Sequence, residues 1–330
     1  MHDIDVENNP LLTAAKSQNA KTVVSSVAQK RLLLVKCFTA VISCYLVYGV
    51  CHESITRQLY EGERFTFTLW LISVQTLTNM TVASIIVQLS SRPGEVDKTP
   101  FKYYFACALF FCGAIFGSNQ ALQYLSYPSQ VVGKACKPIP VLILSGLVGR
   151  KSYNYVKYLC VLTLVLGITM FLYHPTDETV QKQGVGHGLL IFSLICDGLC
   201  GGMQEKVRSK FCPNENHMML WTNLCSFLIL FPFCFLSGDF FGGNAFIPRH
   251  PEILPRILAF CICSVAGQYF IFLTIKHFGP LTVSIITTCR KFFSVLFSVL
   301  IFGNVLTVQQ WIGAIIVFTG LIVDIYFGEH

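Results

Sequence analysis

Charged residues are scarce in this sequence. Asp, Glu, Lys and Arg together make up 12% of the 330 residues, about half the share that a soluble globular domain carries. Apolar residues account for 53% of the chain. They form runs of about 20 residues, long enough to cross a hydrocarbon core of roughly 30 Å. We therefore predict a polytopic membrane protein whose partner is the lipid bilayer, and we expect no binding to nucleic acid.

Motifs for metal binding, for catalysis and for a cleaved signal are also lacking. The 15 cysteines include no paired CxxC motifs, and most fall in apolar runs, where Cys behaves as a small hydrophobic residue. The histidines form no HExxH or HxxEH pattern. We expect no cofactor, no bound metal, no enzymatic activity and no obligate protein partner. Residues 1–31 lack the basic and then apolar pattern of a signal peptide, and we predict a disordered cytosolic tail there.

Polar residues, glycine and proline divide the rest of the chain into ten apolar segments. Each segment is predicted to be a helix, because backbone groups in lipid must form their hydrogen bonds within the segment. The predicted fold class is therefore all-α, a polytopic membrane protein with ten transmembrane helices. Their expected bounds are 32–51, 66–90, 102–122, 127–148, 154–173, 186–206, 217–236, 254–276, 280–302 and 308–327.

The distribution of Lys and Arg predicts the orientation. Of the 24 Lys and Arg residues, fifteen fall in loops or helix ends on the side of the N-terminus and four lie inside apolar segments. The remaining five are on the opposite side: Arg57, Arg64, Lys182, Arg249 and Arg256. Positive charge is retained on the cytosolic side of a membrane protein. With ten spans, both termini are then expected in the cytosol.

The two halves of the chain resemble each other. A shift of 153 residues pairs Lys137 with Arg290 and Gly167 with Gly320. We predict two repeats, 32–174 and 175–330, of five helices each. An odd number of spans forces the second repeat to insert upside down, and inverted repeats are typical of secondary transporters with a substrate site near the membrane midplane.

Four cations lie at the depth of the membrane centre: Lys134 and Lys137 in the fourth segment, and Arg290 and Lys291 in the ninth. Each costs roughly 2.5–3.5 kcal/mol there if it stays charged and unpaired. Neither segment contains Asp or Glu. One interpretation is ion pairing with Asp197 or Asp324, the nearest carboxylates in the neighbouring segments. The interpretation that we favour is a cavity in which these four cations bind the phosphates of a polyanionic substrate.

Other residues of these segments favour the same kind of site. Pro138 and Pro140 are expected to kink the fourth segment, as in the broken helices of transporters. Amide and aromatic side chains are candidates for binding a base or ribose, although such amides also form hydrogen bonds between helices. These candidates are Asn119, Gln123, Gln130, Gln268 and Tyr269.

Several stretches resemble the nucleotide-sugar transporter family, solute carrier family 35, subfamily B. They are "YPSQVVGKACKPIPV", "NHMML", "GQYFIF" and "FGPLTVSIITTCRKFFSVLFSVLIFGN", and the similarity extends over about residues 32–328. The resemblance implies the drug/metabolite transporter fold with two inverted five-helix repeats, and antiport as the mechanism. It also implies that Lys134, Lys137, Arg290 and Lys291 bind phosphates, in agreement with the charge argument.

The resemblance implies two alternative substrates, and the four cations do not distinguish between them. The first is ATP, exchanged for ADP across the endoplasmic reticulum membrane. The alternative is UDP-galactose or UDP-glucose, exchanged for UMP. Location in the endoplasmic reticulum is likewise implied by the resemblance, with Golgi and endosomal membranes as alternatives.

Overall fold

The structure is a computed structural model that describes residues 10–90, 97–125, 127–172, 183–302 and 307–327. The described part is helical apart from its connecting loops, a two-stranded hairpin and one turn of 3-10 helix at Pro251–Ile253. The hairpin pairs β1 (Leu59–Tyr60) with β2 (Glu63–Arg64). The helices are α1 (Pro10–Arg57), α2 (Thr68–Ser90), α3 (Phe101–Ala121), α4 (Tyr127–Ala135), α5 (Pro138–Leu147), α6 (Tyr155–Leu172), α7 (Gln183–Phe211), α8 (Glu215–Leu236), α9 (Asp239–Arg249), α10 (Leu254–Phe278), α11 (Pro280–Phe302) and α12 (Val308–Phe327).

Helices of membrane-spanning length dominate the described residues. Seven are long and apolar enough to cross a membrane: Ala28–Arg57, Thr68–Leu89, Phe101–Ala121, Tyr155–Leu172, Gly184–Phe211, Glu215–Leu236 and Pro251–Phe278. Large apolar side chains on their outer faces are exposed, as expected of a surface that contacts lipid; Leu89 is 83% exposed and Leu236 is 82% exposed. The prediction of an all-α polytopic membrane protein is confirmed. Seven helices of the described part of the chain have the length and hydropathy of a span, and the number of ten stays a prediction.

The fourth predicted segment is two helices rather than one. α4 ends at Ala135 and α5 begins at Pro138, because proline has no N–H to donate and its ring clashes with the carbonyl four residues earlier. The backbone between them tightens, and the N–H of Lys137 donates to the carbonyl of Lys134 at 3.3 Å. At 9 and 10 residues, α4 and α5 are each too short to cross alone. The predicted distortion at Pro138 is therefore a tightened turn of two residues, Cys136 and Lys137, that separates the two helices (the α4–α5 break).

The N-terminal region differs from the prediction. α1 begins at Pro10 and continues without interruption to Arg57, so residues 10–31 are helical where we expected a disordered tail. Residues 11–31 contain no proline or glycine, and extending an existing helix costs little once its first turn has formed. Residues 1–9 of the predicted tail lie outside the described residues.

The main helix pairs join the first half of the chain to the second. α1 packs on α10, α2 on α8, α3 on α7 and α6 on α12, and α5 packs on both α7 and α11. A core of buried side chains surrounds the α5–α6–α11–α12 contacts, with Phe171 and Phe292 at its centre. A second core, around Tyr60 and Phe65, lies beneath the hairpin. The helices also line a cavity that contains charged side chains.

Candidate functional site

The cavity has two adjoining lobes. The larger has a volume of about 350 Å³ and the smaller about 280 Å³, which together fall in the size range of small-molecule sites. The lobes share a set of lining residues drawn from α3, α7, α11 and the α4–α5 break: Phe111, Ile115, Lys137, Asp197, Thr287 and Arg290. The lobes are therefore two parts of one site.

All four of the predicted phosphate-binding cations line this cavity. Lys137 and Arg290 contact both lobes, and Lys134 and Lys291 line the smaller one. Lys134 lies in the last turn of α4 and Lys137 in the α4–α5 break, whereas Arg290 and Lys291 lie in the middle of α11. The four residues were predicted from the sequence to come together, and the described structure has them around one space.

Asp197 on α7 bridges the two lysines of the α4–α5 break. Its Oδ2 lies 2.7 Å from Nζ of Lys134, and its Oδ1 lies 2.9 Å from Nζ of Lys137. The carboxylate is buried, with 9% of the side chain exposed, and Lys134 is nearly as buried at 12%. Ion pairing with Asp197 was the interpretation that we did not favour, and the structure contains it. One carboxylate balances one of the four positive charges, so the cavity keeps an excess of cations.

Close packing of α7 against α5 holds Asp197 at the break. A Cβ atom on Gly198 would lie 2.8 Å from the carbonyl oxygen of Pro140, and one on Gly202 would lie 2.7 Å from that of Leu144. Both distances are shorter than side chains tolerate, so glycine is required for this approach. The sequence "DGLCGG" thus presents a carboxylate to the lysines and lets its helix approach the broken one.

Asp324 does not contribute to the cavity. Its Oδ1 lies 2.6 Å from Nζ of Lys157 on α6, and neither residue lines either lobe. Of the two carboxylates that the sequence offered, only Asp197 meets the midplane cations. Among the residues that the structure describes, no carboxylate oxygen lies within 4.0 Å of Nζ of Lys291.

Aromatic side chains of α1 form part of the lining of the larger lobe. The guanidinium of Arg290 lies 5.9 Å from the centre of the Tyr45 ring, within the range of a cation–π contact. The Tyr48 hydroxyl donates a hydrogen bond to Gln75 Oε1 at 2.9 Å. Tyr45, Tyr48 and Gln75 all line the larger lobe. None of the three was predicted from the sequence, where the only signal was tyrosine and glutamine within otherwise apolar segments.

The predicted base- and ribose-binding residues divide into two groups. Asn119 and Gln130 line the smaller lobe, and Gln268 lines the larger. Gln123 is exposed beyond the end of α3, and Tyr269 is partly buried among apolar residues. Neither of these two belongs to the cavity lining as described.

Two of the lining amides already have hydrogen-bond partners. Gln130 Nε2 donates to the Ser118 hydroxyl at 2.8 Å and to its carbonyl at 2.9 Å. Gln268 Oε1 accepts from Asn223 Nδ2 at 2.7 Å. These bonds fix the orientation of the two amides. Asn223, a further lining residue, was not anticipated from the sequence.

A helical membrane protein whose helices enclose a cation-lined cavity has the architecture of a solute carrier, and the comparison of sequences identifies the class. The sequence model of the UAA transporter family matches residues 33–328, and the chain belongs to this family. It is therefore a multi-pass membrane protein of a transporter family.

Individual relatives narrow the comparison within this family. The chain is 43% identical to solute carrier family 35 member B1 of Bos taurus, over 92% of this chain and 97% of that protein. Identity to the same member in Xenopus laevis is 44%, with the same coverage, and the Drosophila melanogaster homologue is 42% identical over 87% of this chain and 88% of that protein. These relatives confirm the resemblance to solute carrier family 35, subfamily B. One solved crystal structure shares the fold, with a TM-score of 0.63 at 13% identity, over 91% of this chain and 96% of that one.

Proposed function

We propose that this protein is a secondary-active antiporter of the endoplasmic reticulum membrane that exchanges cytosolic ATP for luminal ADP. The excess of cations in the cavity carries the proposal. Among the described residues that line the two lobes, Asp197 is the one carboxylate beside the four cations Lys134, Lys137, Arg290 and Lys291. Charges inside a membrane are costly and mark substrate pathways, and a polyphosphate is the solute that balances this excess.

The proposed architecture is ten spans in two inverted repeats. α4 and α5 count together as one broken span, and α9 does not cross. The helix pairs support this division: exchanging the first repeat, 32–174, for the second, 175–330, converts the α3–α7 pair into the α10–α1 pair. The α2–α8, α5–α11 and α6–α12 pairs each map onto themselves. The excess of Lys and Arg on one side puts both termini in the cytosol.

Charge favours a triphosphate over a nucleotide sugar. Three linked phosphates reach cations of both pairs at once, and Arg290 supplies a planar fork that matches phosphate oxygens. The tyrosines of α1 and the amides of Gln268 and Asn119 would contact the base and ribose. The alternative substrates, UDP-galactose and UDP-glucose exchanged for UMP, use the same cations with fewer charges.

The same charges explain why exchange is favoured over one-way transport. An empty cavity retains several positive charges, and moving them through the membrane centre is costly. A bound polyphosphate neutralises them. The loaded protein should therefore reorient much faster than the empty one.

Counterflow in proteoliposomes tests the proposal. Purified protein in ADP-loaded vesicles is offered labelled ATP, UDP-galactose or UDP-glucose, alongside Lys137→Ala and Arg290→Ala. The matched control is Arg249→Ala, which removes a cation whose partner is Glu63 outside the cavity, at 3.0 Å. We expect ATP uptake that requires internal ADP, is lost in both cavity variants and persists in the control. Uptake of a UDP-sugar into UMP-loaded vesicles, without ATP uptake, would reassign the substrate. Uptake that survives both cavity substitutions would refute the role of the cations.

A further inference from the structure

The structure assigns to Asp197 the role of an internal counter-anion that competes with the substrate for Lys134 and Lys137 and thereby sets how strongly the site prefers highly charged anions. This inference rests on the proposed function in one respect, that the competing anion is a nucleotide phosphate. Asp197 lines both lobes. Its two oxygens are engaged by two different lysines, at 2.7 and 2.9 Å, much as two phosphate oxygens would be.

The pairing is reversible by geometry. Lys137 keeps 33% of its side chain exposed to the cavity, and its long stem lets the ammonium turn from the carboxylate to an incoming oxygen without moving the backbone. Asp197 has no such freedom, because α7 is held against α5 at Gly198. An anion that enters the smaller lobe therefore attracts the lysines away from a stationary carboxylate.

The cations of α11 have different surroundings. The guanidinium of Arg290 lies 5.9 Å from the centre of the Tyr45 ring, and among the described residues no carboxylate oxygen lies within 4.0 Å of Nζ of Lys291. The carboxylate in the described cavity lining lies at Lys134 and Lys137. A phosphate that binds Lys134 and Lys137 must displace the carboxylate of Asp197 from them. A highly charged anion does this more readily than a singly charged one.

Two consequences follow for exchange. A competing carboxylate weakens binding of every anion, and it also returns to the lysines when the substrate leaves, which assists release. Replacing Asp197 with the nearly isosteric Asn should therefore lower KM for nucleotides and lower kcat as well, because release becomes slow. A role limited to folding would not lower KM.

The decisive experiment measures binding of inorganic anions to the purified full-length protein in nanodiscs. The probes are orthophosphate, pyrophosphate and tripolyphosphate, and the variants are wild type, Asp197→Asn and Asp324→Asn. Because Coulomb attraction grows with the charge of the anion, we expect the dissociation constant in Asp197→Asn to fall about threefold for orthophosphate and about tenfold for tripolyphosphate. Asp324→Asn removes a buried, lysine-paired carboxylate outside the cavity, and its dissociation constants for all three anions should stay at the wild-type values.

Equal or weaker binding of tripolyphosphate in Asp197→Asn would overturn the inference, as would the same graded tightening in Asp324→Asn. If Asp197→Asn does not fold, the double variant Lys134→Gln/Asp197→Asn is compared with the single variant Lys134→Gln. In the double variant the buried ammonium of Lys134 is absent, so that removing the carboxylate does not leave this charge unpaired. The double variant should bind tripolyphosphate more tightly than the single one, and a failure to do so counts equally against the inference. A wild-type protein that exchanges no nucleotide while Asp197→Asn gives the graded response would refute the proposed function and still support the role of Asp197.

Discussion

The buried ion pair between Lys157 on α6 and Asp324 on α12 offers a test of the helix packing that does not depend on the proposed transport. The Nζ–Oδ1 distance is 2.6 Å, and the two side chains are only 6% and 7% exposed. α6 and α12 form one of the main helix pairs. Replacing Lys157 with Leu removes the ammonium that faces the buried carboxylate of Asp324, and replacing Asp324 with Leu removes the carboxylate that faces the buried ammonium of Lys157. Replacing both residues with Leu removes both charges.

The single and the double substitutions should differ widely in their effect on the free energy of unfolding. Removing one partner of a buried ion pair destabilises a protein by about 3–5 kcal/mol, whereas replacing both with apolar residues is often neutral or stabilising by about 1–4 kcal/mol. At these exposures solvent screens the pair little. We therefore expect each single variant to lose about 3–5 kcal/mol and the double variant to regain nearly all of it, which gives a large coupling energy in a double-mutant cycle.

The assay is unfolding of the four proteins in the same detergent, followed by size-exclusion fluorescence after heating and by titration with a denaturing detergent. The double variant should also retain exchange, because the pair lies outside the cavity. A double variant no more stable than the two single variants would refute the reasoning. It would mean that the leucines do not fit the interface or that the pair is not formed.

Three further predictions concern the site and the nearby loop. Arg290→Gln should lower kcat/KM for ATP by about 10- to 100-fold, which corresponds to the free energy of a hydrogen bond to a charged group. Arg290→Lys should lower kcat/KM less, because the charge remains while the planar guanidinium is lost. Equal effects of the two substitutions would argue against a bidentate contact. Gln268→Ala should raise KM by about three- to tenfold, whereas Gln123→Ala, at an exposed position outside the cavity lining, should leave it unchanged. Burial, together with the nearby carboxylate of Glu205, raises the pKa of Tyr153, in the loop before α6, to about 12. The folded protein therefore keeps a proton that the unfolded chain loses near pH 10, so that stability should fall between pH 10 and about 12, and pH titration of Tyr153→Phe unfolding should show a smaller fall.

Much of the fold was predictable because lipid leaves the backbone few alternatives. The segments predicted at 280–302 and 308–327 match α11 and α12 in their bounds, and 254–276 differs from α10 by two residues. Features shorter than a span were not predicted. The hairpin at 59–64 and α9 lie between apolar runs, where local turn residues and packing on the second core decide the structure, and the hydropathy pattern carries no signal for either.

The site was predictable where charge made the residues conspicuous and unpredictable where it did not. The four cations stood out because ionisable residues are rare at this depth. Tyr45, Tyr48 and Asn223 did not, because which side of a helix faces the cavity depends on its rotation against its neighbours. Gln123 lies outside the cavity lining for a related reason. α3 ends at Ala121, so the side chain of Gln123 does not continue the helical face that carries Asn119.

The contrast between the two cation pairs bears on the order of events in binding. At the lysines an incoming phosphate exchanges one anion for another, so the net gain is the difference between two attractions. Lys291 on α11 has no carboxylate oxygen within 4.0 Å of its Nζ among the described residues, so a phosphate displaces no carboxylate there. The gain in free energy on first contact is therefore larger at Lys291 than at the α4–α5 break. We expect phosphate to be captured first at Lys291, with Lys134 and Lys137 released from Asp197 afterwards. The break would then tighten around the substrate after capture, which couples binding to the segment whose helix is interrupted before Pro138.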